Sequence, residues 1–232
     1  MLNHIISVQI YCFFLNYANF LSIFLNYPAF CLLVSENYRN FAPKIIHDMQ
    51  NFILIAEAGD FIGEQKLIAQ HLSGEWVGQQ WQMADGSLWD IVVMGVGAIN
   101  VMHALSDIPR DAHLLNIGYA GSANYEIGSA VCVTEARLNH PNVRYPEPEL
   151  HLAPCPAAYL REAENCIHSV CYSNTDFVLQ SDYTDCVFDM ELAYIAAMGF
   201  THLHALKIVS DNLSLHTYRE VASSRSHRKL RL

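Results

Sequence analysis

From residue 51 onward, short unbroken apolar runs alternate with helix-spaced apolar patterns, and this alternation constrains the fold more than any other feature. "NFILIA" (51–56) reads as a strand buried on both faces, and "EQKLIAQHL" (64–72) as an amphipathic helix. "EWVGQQWQMADGSLWDIVVMGVG" (75–97) predicts strands joined by a turn at Asp85-Gly86, ending in a run buried on both sides. A helix is predicted over 99–108, strands over 112–123 and 129–138, and an extended loop over 139–157, where five prolines fall. A helix over 158–167, a strand over 168–174, a helix over 190–198 and a last strand over 203–212 complete the pattern. Doubly buried strands separated by helices assemble into an α/β sheet covered on both faces. In such sheets ligands bind where strands end at the carboxyl edge. Four polar or Gly-rich turns fall there: 56–63, 95–100, 118–124 and 210–212.

The 232 residues suffice for one α/β domain with a substantial core. The net charge of −10 argues against a nucleic-acid surface, because phosphate binding needs clustered Lys and Arg. Seven cysteines without a CxxC pair suit reduced thiols in a cytoplasmic protein better than a disulfide framework. The ends differ from the middle. Residues 5–34 form an apolar run without a single charge, long enough to cross a bilayer. The run lacks a basic lead-in and is interrupted by several Asn and by Pro28. Three readings stay open for residues 1–48: an over-extended start upstream of Met49, a membrane or signal segment, and a helix docked on the domain. Membrane contact follows only from the second. The expected division is an apolar extension over 1–48, an α/β domain over 49–222 and a basic, solvated tail over 223–232.

Several motifs sit at the predicted strand ends. "GVGAIN" (95–100) opens a helix but lacks the third glycine and the distal acid of a dinucleotide fingerprint, so it reads as a tight turn. "NIGYAGSA" (116–123) lets either a ligand or a neighbouring element approach the backbone. "HLH" (202–204) places two imidazoles on one face of a strand without a third ligand, so no metal is expected. The Cys166/Cys171 pair reads as core. "KIVSDN" (207–212) ends an apolar strand in an acid that reads as a general acid or as a helix cap. "VFDMELAYIAAM" (187–198) places Asp189 and Glu191 at the front of a buried helix.

The order "NIGYAGSA", "GSAVCVTEARLNH", "NTDFV", "VFDMELAYIAAM", "ALKIVSDN" resembles the nucleoside phosphorylase and nucleosidase superfamily, over roughly residues 51–215. It is most similar to the 5′-methylthioadenosine/S-adenosylhomocysteine nucleosidases. The Met190-Glu191 and Ser210-Asp211 pairs are the most specific part. The resemblance implies a three-layer sandwich with a mixed central sheet flanked by helices, no cofactor, and a homodimer. It implies hydrolysis of a purine nucleoside, such as a 5′-modified adenosine. Glu191 would accept hydrogen bonds from the ribose hydroxyls, with Met190 lining the sugar. Asp211, next to Ser210, would protonate or hydrogen-bond N7 of the departing purine. Phe177 would stack on the base, and Val178 would read its edge through the backbone. Gly118, Ala120 and Gly121 would form the floor beside ribose and water. A carboxylate at the sugar and an acid at the base match the charges that develop when an N-glycosidic bond breaks.

The sequence departs from that pattern in places. "AEAGDFIGEQK" (56–66) has no Arg for a phosphate, which favours water over phosphate as nucleophile. The acid that positions the water aligns with Asp60, with Glu57 and Glu64 as alternatives. Tyr119 stands where the family has Ser, and Ser122 where it has Gly. Asn139-His140-Pro141 matches the family's His-Asp segment only roughly. "LSLHTYREVASS" (213–224) offers about half of the family's closing helix, as a truncated or frame-shifted end would. A phosphorylase with an atypical phosphate site and a non-catalytic nucleoside binder are the alternatives to a hydrolase.

Overall fold

The computed structural model describes residues 50–57, 63–139 and 150–223. The expectations for the amino-terminal extension, for Asp60, for His140-Pro141 and for most of the basic tail lie outside these residues. No helix among the described residues is long and apolar enough to cross a membrane.

The strands are β1 (Asn51–Ile55), β2 (Gly74–Val77), β3 (Gln80–Met83), β4 (Leu88–Val93), β5 (His113–Gly121), β6 (Ala130–Leu138), β7 (Leu150–His151), β8 (Ile167–Ser173), β9 (Cys186–Asp189) and β10 (His202–Asp211). The helices are α1 (Gln65–His71), α2 (Ala98–Ala104), α3 (Leu192–Ala197) and α4 (Leu215–Ser223). One mixed sheet contains all ten strands. Its parallel centre runs β4-β1-β5-β10, and β2 and β3 extend it antiparallel beyond β4.

The other half of the sheet curls. β10 pairs antiparallel with β6, β6 and β9 flank β8 in parallel, and β9 returns to β5 through the single pair Gly121↔Phe188. Strands β5, β10, β6, β8 and β9 thus form a small closed ring, where the sequence leads one to expect an open layer between helices. Irregularities in register between Val209 and Asp211 and between Val133 and Glu135 supply the bend, since an extra residue in a strand sharpens its twist.

Side-chain alternation explains the unbroken apolar runs. Leu54 and Leu114 join one core with Val101 of α2 and Ile195 of α3. Their neighbours Ile53, Ile55, Leu115 and Ile117 join a second core with Leu67 and Ile68 of α1 and Val221 of α4. Strands that feed a core from each face need apolar residues at every position.

The predicted helix over 158–167 does not form. Two short 3₁₀ turns, Ala157–Tyr159 and Ala163–Asn165, stand there, and Ile167 already begins β8. The backbone is used otherwise: Leu160 bridges Leu72, the Ser73 N–H donates to the Tyr159 carbonyl, and the Arg161 N–H to the His71 carbonyl. Tethering to the end of α1 thus overrides local helix propensity. Strand β9 hides at the front of a stretch that reads as wholly helical. The predicted loop over 139–157 contributes the two residues of β7, paired with Glu135 and Ala136 of β6.

Candidate active site

The ends of β1, β5, β9 and β10, the segment 176–178 and one face of α4 enclose a cavity of about 260 Å³. Of the ten residues to which the resemblance gives a first-choice role, eight line it: Ala120, Gly121, Phe177, Val178, Met190, Glu191, Ser210 and Asp211. Residues 130 and more positions apart are brought to one place because β1, β5 and β10 run parallel and end together.

Gly118 lies outside the lining and serves a neighbour instead. A Cβ at this position would stand 2.6 Å from Oε1 of Glu64, so the missing side chain makes room for that carboxylate. Glu64 occupies the start of α1 without capping it. Its carboxylate turns into the cavity wall, where Oε2 accepts the Ala56 N–H at 2.6 Å and Oε1 the Tyr119 N–H at 2.9 Å. Burial pushes its pKa up, against the pull of Lys207 and of these hydrogen bonds. Of the three acids considered near the first strand end, Glu57 and Glu64 both line the cavity, and Asp60 is outside the described residues.

The two carboxylates of "VFDMELAYIAAM" do different things. Asp189 serves the helix start: its Oδ2 accepts the Leu192 N–H at 3.0 Å, its Oδ1 accepts the Ser173 hydroxyl, and that hydroxyl accepts the Ala193 N–H at 2.8 Å. Glu191 sits at the helix entrance but makes no cap with its side chain. Its Oε1 accepts the Gly97 N–H at 2.9 Å and its Oε2 the Met190 N–H at 3.3 Å. The "GVGAIN" turn thus donates one backbone N–H, that of Gly97, to this carboxylate.

Glu191 is 7% exposed, and its pKa is pushed up to about 7. Burial is the main cause, followed by repulsion from Asp189, with Lys207 and the Gly97 N–H opposing and Glu64 adding to the rise. An acid whose folded pKa is raised binds its proton more tightly in the native state. The native state therefore loses stability as pH rises from about 4.5 to about 7. Glu191→Gln keeps an acceptor for Gly97 and removes this loss. Chemical unfolding is expected to find the variant more stable than wild type by about 1–3 kcal/mol at pH 8, and the gain is expected to vanish near pH 4.5.

Lys207 was not singled out in the sequence, although a lysine inside the apolar run "LHALKIV" is itself a signal. It is 1% exposed, with its ammonium 2.7 Å from Oδ2 of Asp189. Burial favours the neutral amine, but the combined field of Asp189, Cys171, Glu191 and Glu64 outweighs it and holds Lys207 protonated.

Asp211, also 1% exposed, ends β10. Its Oδ2 accepts the Ser210 hydroxyl at 2.7 Å and its Oδ1 the Ser214 N–H at 3.2 Å. Burial raises its pKa, and these hydrogen bonds pull it back only in part. Gly121 leaves room for it, because a Cβ there would stand 2.8 Å from Asp211 Oδ1 and would push the carboxylate aside. Above the acids lies an aromatic wall. Phe177 is tilted against Tyr218 at 5.7 Å, and Tyr218 meets Tyr119 edge-on at 6.2 Å. Tyr218 was missed in the sequence; its spacing of three from Val221 on one face of α4 is the signal that marks it.

The histidines lie elsewhere. His202 packs on His113 at 4.4 Å, and His204 Nδ1 lies 3.1 Å from the Ala153 carbonyl. No group of three or more His, Cys, Asp and Glu able to hold a metal occurs among the described residues.

No protein-family model matches the chain, and no curated protein matches it. Solved structures do match. MTAN of Chlamydia trachomatis bound to MTA superposes with a TM-score of 0.53 at 18% identity, covering 75% of this chain and 90% of that one. The 5′-methylthioadenosine/S-adenosylhomocysteine nucleosidase of Colwellia psychrerythraea in complex with adenine gives 0.54 at 20% identity, covering 75% and 88%. Futalosine hydrolase of Helicobacter pylori gives 0.52 at 13% identity, covering 76% and 94%. The chain is thus similar in structure to nucleosidases of the superfamily its motifs resemble, and it shares their fold.

Proposed function

We propose that this chain hydrolyses the N-glycosidic bond of a purine nucleoside, with a 5′-modified adenosine such as methylthioadenosine or S-adenosylhomocysteine as substrate. One observation carries the reading: besides Asp189, which Lys207 pairs, three buried carboxylates line one partly aromatic cavity, Glu64 from the start of α1, Glu191 from the start of α3 and Asp211 from the end of β10. Each suits one demand of the reaction.

Breaking the bond leaves positive charge on the ribose and negative charge on the base. Glu191, ionised, accepts hydrogen bonds from the ribose hydroxyls, and Met190 lines the sugar. Asp211 delivers a proton to N7 of the purine, which stacks on Phe177 and is read along its edge by the Val178 backbone. Glu64 orients the attacking water and takes its proton, beside a floor made by Ala120 and Gly121. Lys207 and Asp189 neutralise each other below, which lets three further acids stand close together. Fixed charges in a water-poor cavity act where charge develops, without the reorganisation that bulk water would need.

Water is favoured over phosphate because the described cavity wall is rich in carboxylates and contains no Lys or Arg. A phosphate dianion would meet repulsion on several sides. No organic cofactor or metal enters these steps. The domain is read as residues 49–222, working in the cytoplasm as a homodimer.

The test is adenine release from methylthioadenosine in phosphate-free buffer, followed by chromatography. Release at a rate unchanged by added phosphate is the expected result. Strict dependence on phosphate identifies a phosphorylase, and tight binding without release identifies a nucleoside binder.

A further inference from the structure

The reaction proposed above uses three cavity carboxylates, and Lys207 offsets a fourth, Asp189. Two more remain without a task. Glu57, half-buried at the end of β1, and Asp176, exposed beside Phe177, bring the lining to six carboxylates. No Lys or Arg accompanies them among the described lining residues; Lys66 lies over the Tyr119 ring, 5.8 Å from its centroid, outside the lining. Glu57 lies close enough to Tyr218 to be the leading charge acting on its phenol, ahead of Glu64, Glu191 and Asp211.

The parts of a nucleoside divide the wall between them. Base contacts use Asp211, Phe177 and Val178, ribose contacts use Glu191 and Met190, and water uses Glu64. Among the lining residues without a task, Val96, Leu213, Tyr218 and Glu57 offer the 5′ substituent apolar surface together with a negative charge, and Ala56, Tyr119 and Phe188 add no further charge. Taking these together, we propose that the cavity selects purine nucleosides by the charge of the 5′ substituent, admitting neutral and cationic groups and rejecting anionic ones, with Glu57 as the discriminating residue and Asp176 adding to its field. This rests on the nucleosidase reading and narrows its substrate class.

The physical basis is direct. A substituent whose only charge is a carboxylate, unlike the net-neutral zwitterion of S-adenosylhomocysteine, is brought close to Glu57 in a cavity already in surplus of negative charge, and loses hydration on entry. A methylthio group packs on Val96 and Leu213 and meets no such cost. A sulfonium or ammonium at the same place gains the field instead. The overall charge of −10 acts in the same sense on approach.

The experiment compares four adenosine derivatives that share a thioether-sized arm: 5′-methylthio, 5′-dimethylsulfonio, 5′-carboxymethylthio and its carbamoylmethylthio isostere. The amide and the carboxylate have the same shape, so their ratio of kcat/KM isolates charge. That ratio is expected to be about thirtyfold at low salt in favour of the amide, with the sulfonium at least equal to the methylthio compound. Glu57→Gln is expected to cut the amide-to-carboxylate ratio by about tenfold, and Asp176→Asn by less, and added salt is expected to shrink it. Equal kcat/KM for amide and carboxylate overturns the proposal while leaving hydrolysis intact. A ratio that survives in Glu57→Gln overturns the assignment to that residue. If none of the four is cleaved, calorimetric affinities for the same set carry the comparison. A preference for amide over carboxylate then supports charge selection although hydrolysis fails, and equal affinities overturn it.

Discussion

Asp211→Asn is expected to lower kcat for methylthioadenosine by about 10²–10⁴, the usual contribution of a positioned general acid. The substitution is close to isosteric. The carboxamide oxygen can still accept the Ser214 N–H, now at 3.2 Å from Oδ1, so the fold around the end of β10 is retained and the loss reports on chemistry. The decisive comparison uses a nucleoside of 7-methylated adenine, whose ring already carries the positive charge that protonation would supply. With that substrate the penalty is expected to fall to tenfold or less, by the same general-acid argument. Steady-state rates for both substrates on both proteins make the check. An equal loss on both substrates would show that Asp211 acts other than by delivering a proton.

Lys207→Met is expected to lower the free energy of unfolding by about 3–5 kcal/mol at pH 8, the cost of leaving a buried partner charge uncompensated. The ammonium stands 2.7 Å from Asp189 and within the field of Glu64 and Glu191, so its removal strands three acids in a dry environment. The pH dependence identifies the cause. Without the cation the folded pKa values of Glu64 and Glu191, already raised by burial, lose the lowering pull of Lys207, and the native state binds protons more tightly than the unfolded chain. Acidification therefore restores stability, and the gap to wild type is expected to narrow markedly by pH 5. Urea unfolding of both proteins at pH 5 and pH 8 reads the effect. A gap that does not change with pH would mean that Lys207 contributes by packing its stem, not by its charge.

Much of this architecture was legible because it follows from periodicity. β1, β5, β6, β8 and β10 stand where unbroken apolar runs predict strands, and β1, β5 and β10 are parallel neighbours, whereas β6 runs antiparallel to β10 and no helix separates it from β5. What the sequence concealed depends on contacts across long separations. The stretch 158–167 has helical spacing, but the end of α1 takes its backbone hydrogen bonds. The ring of five strands is likewise invisible locally, since it depends on two register irregularities and a single pair between residues 67 positions apart. At the site, Glu191 and Asp211 were legible as residue types at strand ends. Choosing between Asp60, Glu57 and Glu64 was not, because it depends on contacts between distant residues, such as the Tyr119 N–H donated to Glu64 and the space left at Gly118 for that carboxylate. Lys207 escaped notice because its partner, Asp189, looks in sequence like a helix cap and nothing more.

The ring of strands closes at one place, Gly121 against Phe188, and both residues also line the cavity. The seam of the barrel and the binding site are therefore the same location. A molecule held between Ala120–Gly121 of β5 and Phe188–Asp189 of β9 works as a rivet across a joint made by one residue pair. Occupancy and closure of the ring become a single equilibrium, so the protein is expected to grip most firmly when it is also most completely folded.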